Sequence, residues 1–154
     1  MSNAVRYLGT LYSNPFIFGP VFHSFYKSLS KKDNSVLLSY LVLPLVLYPA
    51  SQKYLTKRKN PHSCLRILAK THEHVFGLQE RIREYCQITN TTIQHAINLG
   101  VLDISRNLSI EILSDWPNGA ISPPNSITAA ERLGQFMSFI DVPTAYRMLG
   151  VKRL

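Results

Sequence analysis

At 154 residues, 45% hydrophobic and 17% charged, the chain has the length of one ordinary domain and enough apolar side chains for a core, and is too weakly charged for a disordered tail. Two cysteines, Cys64 and Cys86, are too few for a disulfide scaffold and fit no zinc spacing, and no basic patch followed by an apolar run marks a signal peptide. A reduced, cytoplasmic protein is therefore expected.

The net charge of +8 is unevenly placed. Residues 1–72 hold ten Lys/Arg against Asp33 alone, while residues 73–154 hold seven against eight acids. The densest cluster is Lys53, Lys57, Arg58 and Lys59. Such a one-sided surface suits DNA or an acidic partner. A solvated face that only aids solubility is the plainer alternative.

Phe18, Phe22, Phe25, Tyr26 and Leu29 recur three and four apart. That predicts a helix starting at Asn14 and Pro15, disturbed by Gly19 and Pro20. Residues 36–50, VLLSYLVLPLVLYPA, are the most apolar segment. They fall short of the roughly 20 residues a spanning helix needs. A buried helix kinked at Pro44 is expected instead of a membrane segment; a surface covered only by a partner is a third option. KYLTKRKNP then reads as a passage from core to loop, with Asn60 and Pro61 opening the next helix. Leu65, Leu68, Val75, Phe76, Leu78, Ile82 and Tyr85 predict two helices broken around residues 70–77, with Glu80, Arg81, Arg83 and Glu84 facing water.

Thr89 and Asn90 are N-cap types. They predict a separate helix to Leu99, its inner side Ile93, Ala96, Ile97 and Leu99, stopped by Gly100. Val101, Leu102 and Ile104, then Leu108, Ile110 and Ile112, predict a two-stranded ribbon turned at 105–107. After a loop at 114–125, Thr128 and Glu131 predict a capping box ahead of a helix with Leu133, Phe136, Met137 and Ile140. Gly134 inside it predicts close approach of another backbone. A last helix is expected from Pro143 to Leu149, ended by Gly150.

Chemistry is sparse. In THEH, residues 71–74, His72 and His74 would project about 200° apart on a helix, a poor metal pair. There is no glycine-rich phosphate loop, no nucleophile elbow and no local carboxylate pair. No catalytic residue, metal ligand or cofactor is assigned, and no enzymatic activity is expected.

The helix at 90–99 followed by a ribbon reads as the end of a winged-helix unit, a shape that often reads DNA. Its expected outward side chains are Thr91, Thr92, Gln94, His95 and Asn98, with no Lys or Arg among them. The wing adds Arg106 alone, near Asp103 and Glu111. Phosphate contacts supply most affinity for DNA, so this helix is poorly equipped for it. Structural support or a protein contact fits better.

Four stretches occur in a telling order: NPFIFGPVFHSFYKSL, LSYLVLPLVLYP, GLQERIREYCQITNTTIQHAINLGVLDI and AAERLGQFMSFIDVPTAYRMLGVKRL. The chain resembles the middle component of bacterial three-component ABC conflict systems, of which the Lamassu type is the best known. The resemblance implies a winged-helix accessory subunit bridging an SMC-like ATPase, which senses foreign DNA, and an effector, often a nuclease. It implies no catalytic residues.

The expectation is a mainly α, single helical domain with a small β wing: a helical part about 1–58, a winged-helix-like unit about 60–113, and C-terminal helices about 125–150. Its partners would be the ATPase and the effector, with DNA or acidic-partner contact at Lys53, Lys57, Arg58 and Lys59, and no membrane. The rivals are a free-standing DNA-binding regulator and a peripheral membrane protein using residues 36–50.

Overall fold

The computed structural model describes residues 14–57, 64–119 and 121–153. Helix α1 (Pro15–Ser28) starts where its sequence predicts. The Asn14 side chain accepts from the Phe16 N–H at 2.9 Å, and Pro15 fills the first turn. It runs unbroken through Gly19 and Pro20. Gly19 has no Cβ to crowd the proline ring behind it, and the space a Cβ would need holds the Trp116 indole. Phe18, Phe22, Phe25 and Tyr26 are buried.

The apolar run folds as a 3-10 turn (Ser35–Leu38), α2 (Ser39–Val46) and α3 (Pro49–Lys57). Pro44 lies inside α2 and does not set the bend. The chain turns by 100° at Leu47 and Tyr48 instead, where Pro49 restricts the residue before it and suits a first helical position. A turn this sharp strips the last carbonyls of α2 of their amide partners. Side chains replace them. Arg81 Nε donates to the Pro44 carbonyl at 3.1 Å, Gln52 Nε2 to Val46 at 2.9 Å, and Ser51 Oγ to Leu45. Residues 41–46 are all buried. Among the described residues no single helix is long and apolar enough to cross a membrane. The expected passage into a loop at Lys53 is corrected as well, since Lys53 and Lys57 lie on α3.

Helices α4 (Cys64–Lys70) and α5 (His72–Val75) lead to α6 (Leu78–Asn98). The interruption falls within the expected 70–77 window, but the chain breaks twice, at Thr71 and at residues 76–77, and the short α5 between is a third helix where two were expected. The predicted helix start at Thr89 and Asn90 does not exist. Helix α6 is continuous over 21 residues, and Thr89 is buried inside it. The Thr91 and Thr92 hydroxyls donate to the carbonyls of Gln87 and Ile88, at 3.0 and 2.7 Å, as helix-interior residues do. Local cap propensity yields here to the burial of one long apolar face. Gly100, at φ +71°, ends the helix. Leu99 beside it is 46% exposed rather than in the core.

Strands β1 (Leu102–Ile104) and β2 (Ile110–Ile112) pair antiparallel, Leu102 opposite Ile112 and Ile104 opposite Ile110. Leu108 sits in the turn at φ +58°, not in a strand. The ribbon is tied to the 3-10 turn: Val36 N–H donates to the Leu108 carbonyl at 3.0 Å and Ile110 N–H to Ser35 Oγ at 2.9 Å.

Helix α7 (Pro124–Met137) begins ahead of Thr128, so Thr128 and Glu131 form no capping box, and Ile140 lies past its end. Proline at the first position already opens this helix. The close approach predicted at Gly134 is present: a Cβ there would overlap the Phe25 carbonyl oxygen of α1. Asp141 caps α8 (Val142–Met148) by accepting from the Thr144 N–H at 3.0 Å, and Gly150 follows at φ +73°. Helix α1 packs on α6 and α7, α2 on α6, and α3 on α7. The described residues are mainly helical, with a small antiparallel sheet.

Candidate interaction surfaces

Three of the ten basic residues in the first 72 are engaged by other parts of the chain, two of them in exposed ion pairs. Lys27 pairs with Asp115 at 3.0 Å and Lys31 with Glu111 at 2.8 Å. The hydrogen bond and charge of Lys27 lower the Asp115 pKa, and Glu111 raises that of Lys31 by the same means. Lys32 donates to the carbonyls of Met137 and Ile140, at 2.5 and 2.6 Å, and burial lowers its pKa. These three lysines tie the end of α1 and the stretch after it to the C-terminal half.

Lys53 and Lys57 differ. They stand one turn apart on α3, both exposed, and among the described residues neither makes an ion pair. With Ala50, Tyr54, Glu73 and His74 they line a cleft of about 520 Å³. The Tyr54 and His74 rings stack at 4.9 Å across it. Two free ammonium groups against one carboxylate leave the cleft net positive, suited to a phosphate or a carboxylate. Arg58 and Lys59, the other predicted contacts, lie outside the described residues.

The predicted recognition face is rearranged. Thr91, Gln94 and Asn98 are exposed, but Thr92 is buried and His95 is half-buried. His95 packs edge-on against Phe16, ring centroids 4.5 Å apart, and lies 6.4 Å from Trp116. Arg106 is exposed on the ribbon turn. Among the described residues no cluster of three or more His, Cys, Asp or Glu is placed to hold a metal.

A second cleft was not legible in the sequence. Phe16 and Ile17 from the start of α1, Leu99 from the end of α6, and Trp116, Pro117 and Ile121 from the following loop surround about 510 Å³. Its lining is dominated by apolar atoms. Phe16 is 63% exposed and Ile121 84%. Trp116 is held from behind by Gly19 and His23, whose Nε2 donates to the Ser114 carbonyl at 3.1 Å. Lone exposed apolar residues are ordinary; several around one cleft mark a contact surface. The one signal available was the single tryptophan, set in a loop rich in Pro and Gly.

The described residues form a mainly helical chain with a small ribbon, bearing an apolar cleft and a basic cleft. The chain is a member of the family described as ABC-three component (ABC-3C) system Middle Component 3, whose sequence model matches residues 2–153. It is thus an accessory subunit of a multi-component ABC system. No curated protein and no solved structure matches it.

Proposed function

We propose that this chain is a non-catalytic, cytoplasmic adaptor that bridges an SMC-like ABC ATPase and an effector, often a nuclease, in a Lamassu-type antiphage or anti-plasmid complex. The apolar cleft around Trp116 carries the reading: Phe16, Leu99 and Ile121 stay open around a rigidly backed indole, which suits an apolar partner surface. The basic α3 cleft offers a second contact of opposite chemistry and shares no lining residue with the first. Two dissimilar grips suit a bridge.

The test is co-expression with a candidate SMC-like ATPase and effector. Stoichiometric co-purification is expected. Ile121→Asp and Phe16→Asp should weaken the complex at least tenfold, about 1.4 kcal/mol, while leaving the melting temperature of the free chain unchanged. A complex indifferent to both substitutions would remove the cleft from the interface.

A second reading is a DNA-binding regulator of winged-helix type. It is favoured by the helix-then-ribbon order of residues 78–112 and by the unpaired Lys53 and Lys57. It requires the purified chain alone to select a short duplex at physiological salt.

A further inference from the structure

Asn118 and Gly119 form a turn just after Trp116, and both are exposed. The pair Asn-Gly occurs once in the sequence. An asparagine side chain carries an electrophilic carbonyl carbon, and the backbone nitrogen of the next residue can close a ring on it. Two things ordinarily prevent this. The next side chain shields the nitrogen, and hydrogen bonds hold the side-chain amide or the nitrogen in place. Gly119 has no Cβ, and beyond its chain neighbours nothing comes within 4 Å of where one would stand. Among the described residues neither the Asn118 side chain nor the Gly119 N–H makes a hydrogen bond. Asparagines elsewhere show the contrast. Asn107 Oδ1 accepts from the Ser109 hydroxyl at 3.0 Å, and the next N–H, of Leu108, donates to the Ser105 carbonyl at 3.0 Å. Asn98 accepts from Gln94 Nε2 at 3.0 Å, and the next N–H, of Leu99, donates to the His95 carbonyl at 3.0 Å.

Position gives this reactivity a consequence. Asn118 and Gly119 line the apolar cleft beside Trp116, and none of the described residues around that cleft carries a charge. A carboxylate in place of the Asn118 amide would be the first.

We propose that Asn118 is a site of spontaneous deamidation that closes the apolar cleft to a partner. The Gly119 nitrogen attacks Asn118 Cγ and gives up its proton. The side-chain nitrogen takes one up and leaves as ammonia, and a cyclic imide remains. Water adds to either imide carbonyl, the ring opens with a proton returned to the nitrogen, and the new carboxyl ionises. The product is aspartate or, where the backbone now runs through Cγ, isoaspartate. Both set a negative charge on the lip of the cleft, and isoaspartate also lengthens the loop that carries Trp116 by a methylene. An apolar partner surface would bury that charge without a counter-ion, which is costly. The effect on a partner rests on the reading of the chain as an adaptor; the chemistry at Asn118 does not.

Two measurements test the site and its consequence separately. In the first, the purified full chain is held for days at physiological temperature, at neutral and at mildly alkaline pH, and mapped by peptide mass spectrometry with an isoaspartate methyltransferase assay. Conversion should concentrate at Asn118 and run faster at the higher pH, because the attacking nitrogen must shed its proton. Asn118→Gln should abolish it, since the longer side chain needs a larger, slower ring. Trp116 is the single tryptophan, and its fluorescence should change in step with conversion. The second measurement compares fresh and aged protein for affinity to a co-expressed ATPase or effector. The aged chain should bind about tenfold more weakly. Asn118→Asp should show that loss without ageing, and aged Asn118→Gln should keep the affinity it had when fresh. Absence of conversion at Asn118, or equal conversion at Asn98 and Asn107, overturns the site. Conversion with unchanged affinity overturns the closure of the cleft and leaves the adaptor reading standing. If even fresh wild type binds neither component, the adaptor reading fails and the closure with it, while the mapped masses still decide the site.

Discussion

A methyl group added at Gly134 would overlap the Phe25 carbonyl oxygen and lie 3.1 Å from Ser28 Cβ. The obstacle is backbone and cannot swing aside. Alanine would gain about 1 kcal/mol of helix propensity, but forcing α1 and α7 apart costs about 1–3 kcal/mol. Gly134→Ala should therefore lower stability in a urea titration; a stabilised variant would show that the two helices are free to separate. Gly19 presents the opposite case, because the obstacle is the Trp116 ring, a side chain. Gly19→Ala should push the indole outward, shift its fluorescence to the red and distort the apolar cleft. Asp141 shows a third residue-scale effect. Hydrogen bonds from the Thr144 hydroxyl and N–H lower its pKa. A lowered folded pKa means the cap's contribution is complete above the ordinary carboxylate value near 3.9 and is lost as pH falls through the folded value. Asp141→Ala should melt below wild type at pH 7, and the gap should close in acid. A gap that persists at pH 2 would assign the effect to something other than the carboxylate.

The bend between α2 and α3 is decided by elements distant in sequence. Its geometry leaves carbonyls open, and the side chain that covers Pro44 comes from α6. Arg81 donates to Pro44 at 3.1 Å and to the His74 carbonyl at 3.3 Å, bonds the Phe76 carbonyl as well, and sits 3.7 Å from the Tyr48 ring centroid. Lysine has neither the fork nor the planar face for this. Arg81→Lys should cost about 1–3 kcal/mol, read by denaturant titration, and an unaffected midpoint would mean the bend holds without it. The run of charged residues predicts a wet face for Arg81 along with Glu80, Arg83 and Glu84, and of the four only Arg81 is not exposed. Hydropathy period cannot separate a solvated arginine from one that caps a helix elsewhere. Pro44 misled for a related reason. Proline disfavours a helix interior locally, but every residue of α2 except Tyr40 is buried and packing outweighs the missing bond.

At the scale of the whole molecule, charge is divided by role. Lys27, Lys31 and Lys32 serve the fold, whereas Lys53 and Lys57 remain available. The double substitution Lys53→Glu with Lys57→Glu should leave the melting temperature unchanged and weaken association with an acidic or nucleic-acid partner. If the partner is DNA, each lost phosphate contact should flatten the salt dependence by about one unit. Loss of stability in this variant would place both lysines with the structural set.

Several features were fixed by local rules that need only neighbouring residues. The Asn14–Pro15 start, the stops at Gly100 and Gly150, the ribbon of residues 102–112 and the tight spot at Gly134 follow from dihedral freedom, period and side-chain size. What needed the folded chain was everything set by contacts remote in sequence: the continuity of α6 through Thr89, the turn at Tyr48 in place of Pro44, the sorting of lysines into bound and free, and the clefts at Trp116 and at Lys53 and Lys57. Burial is a property of three-dimensional neighbours, and it can override a cap or tolerate a proline in ways that no stretch of adjacent residues encodes.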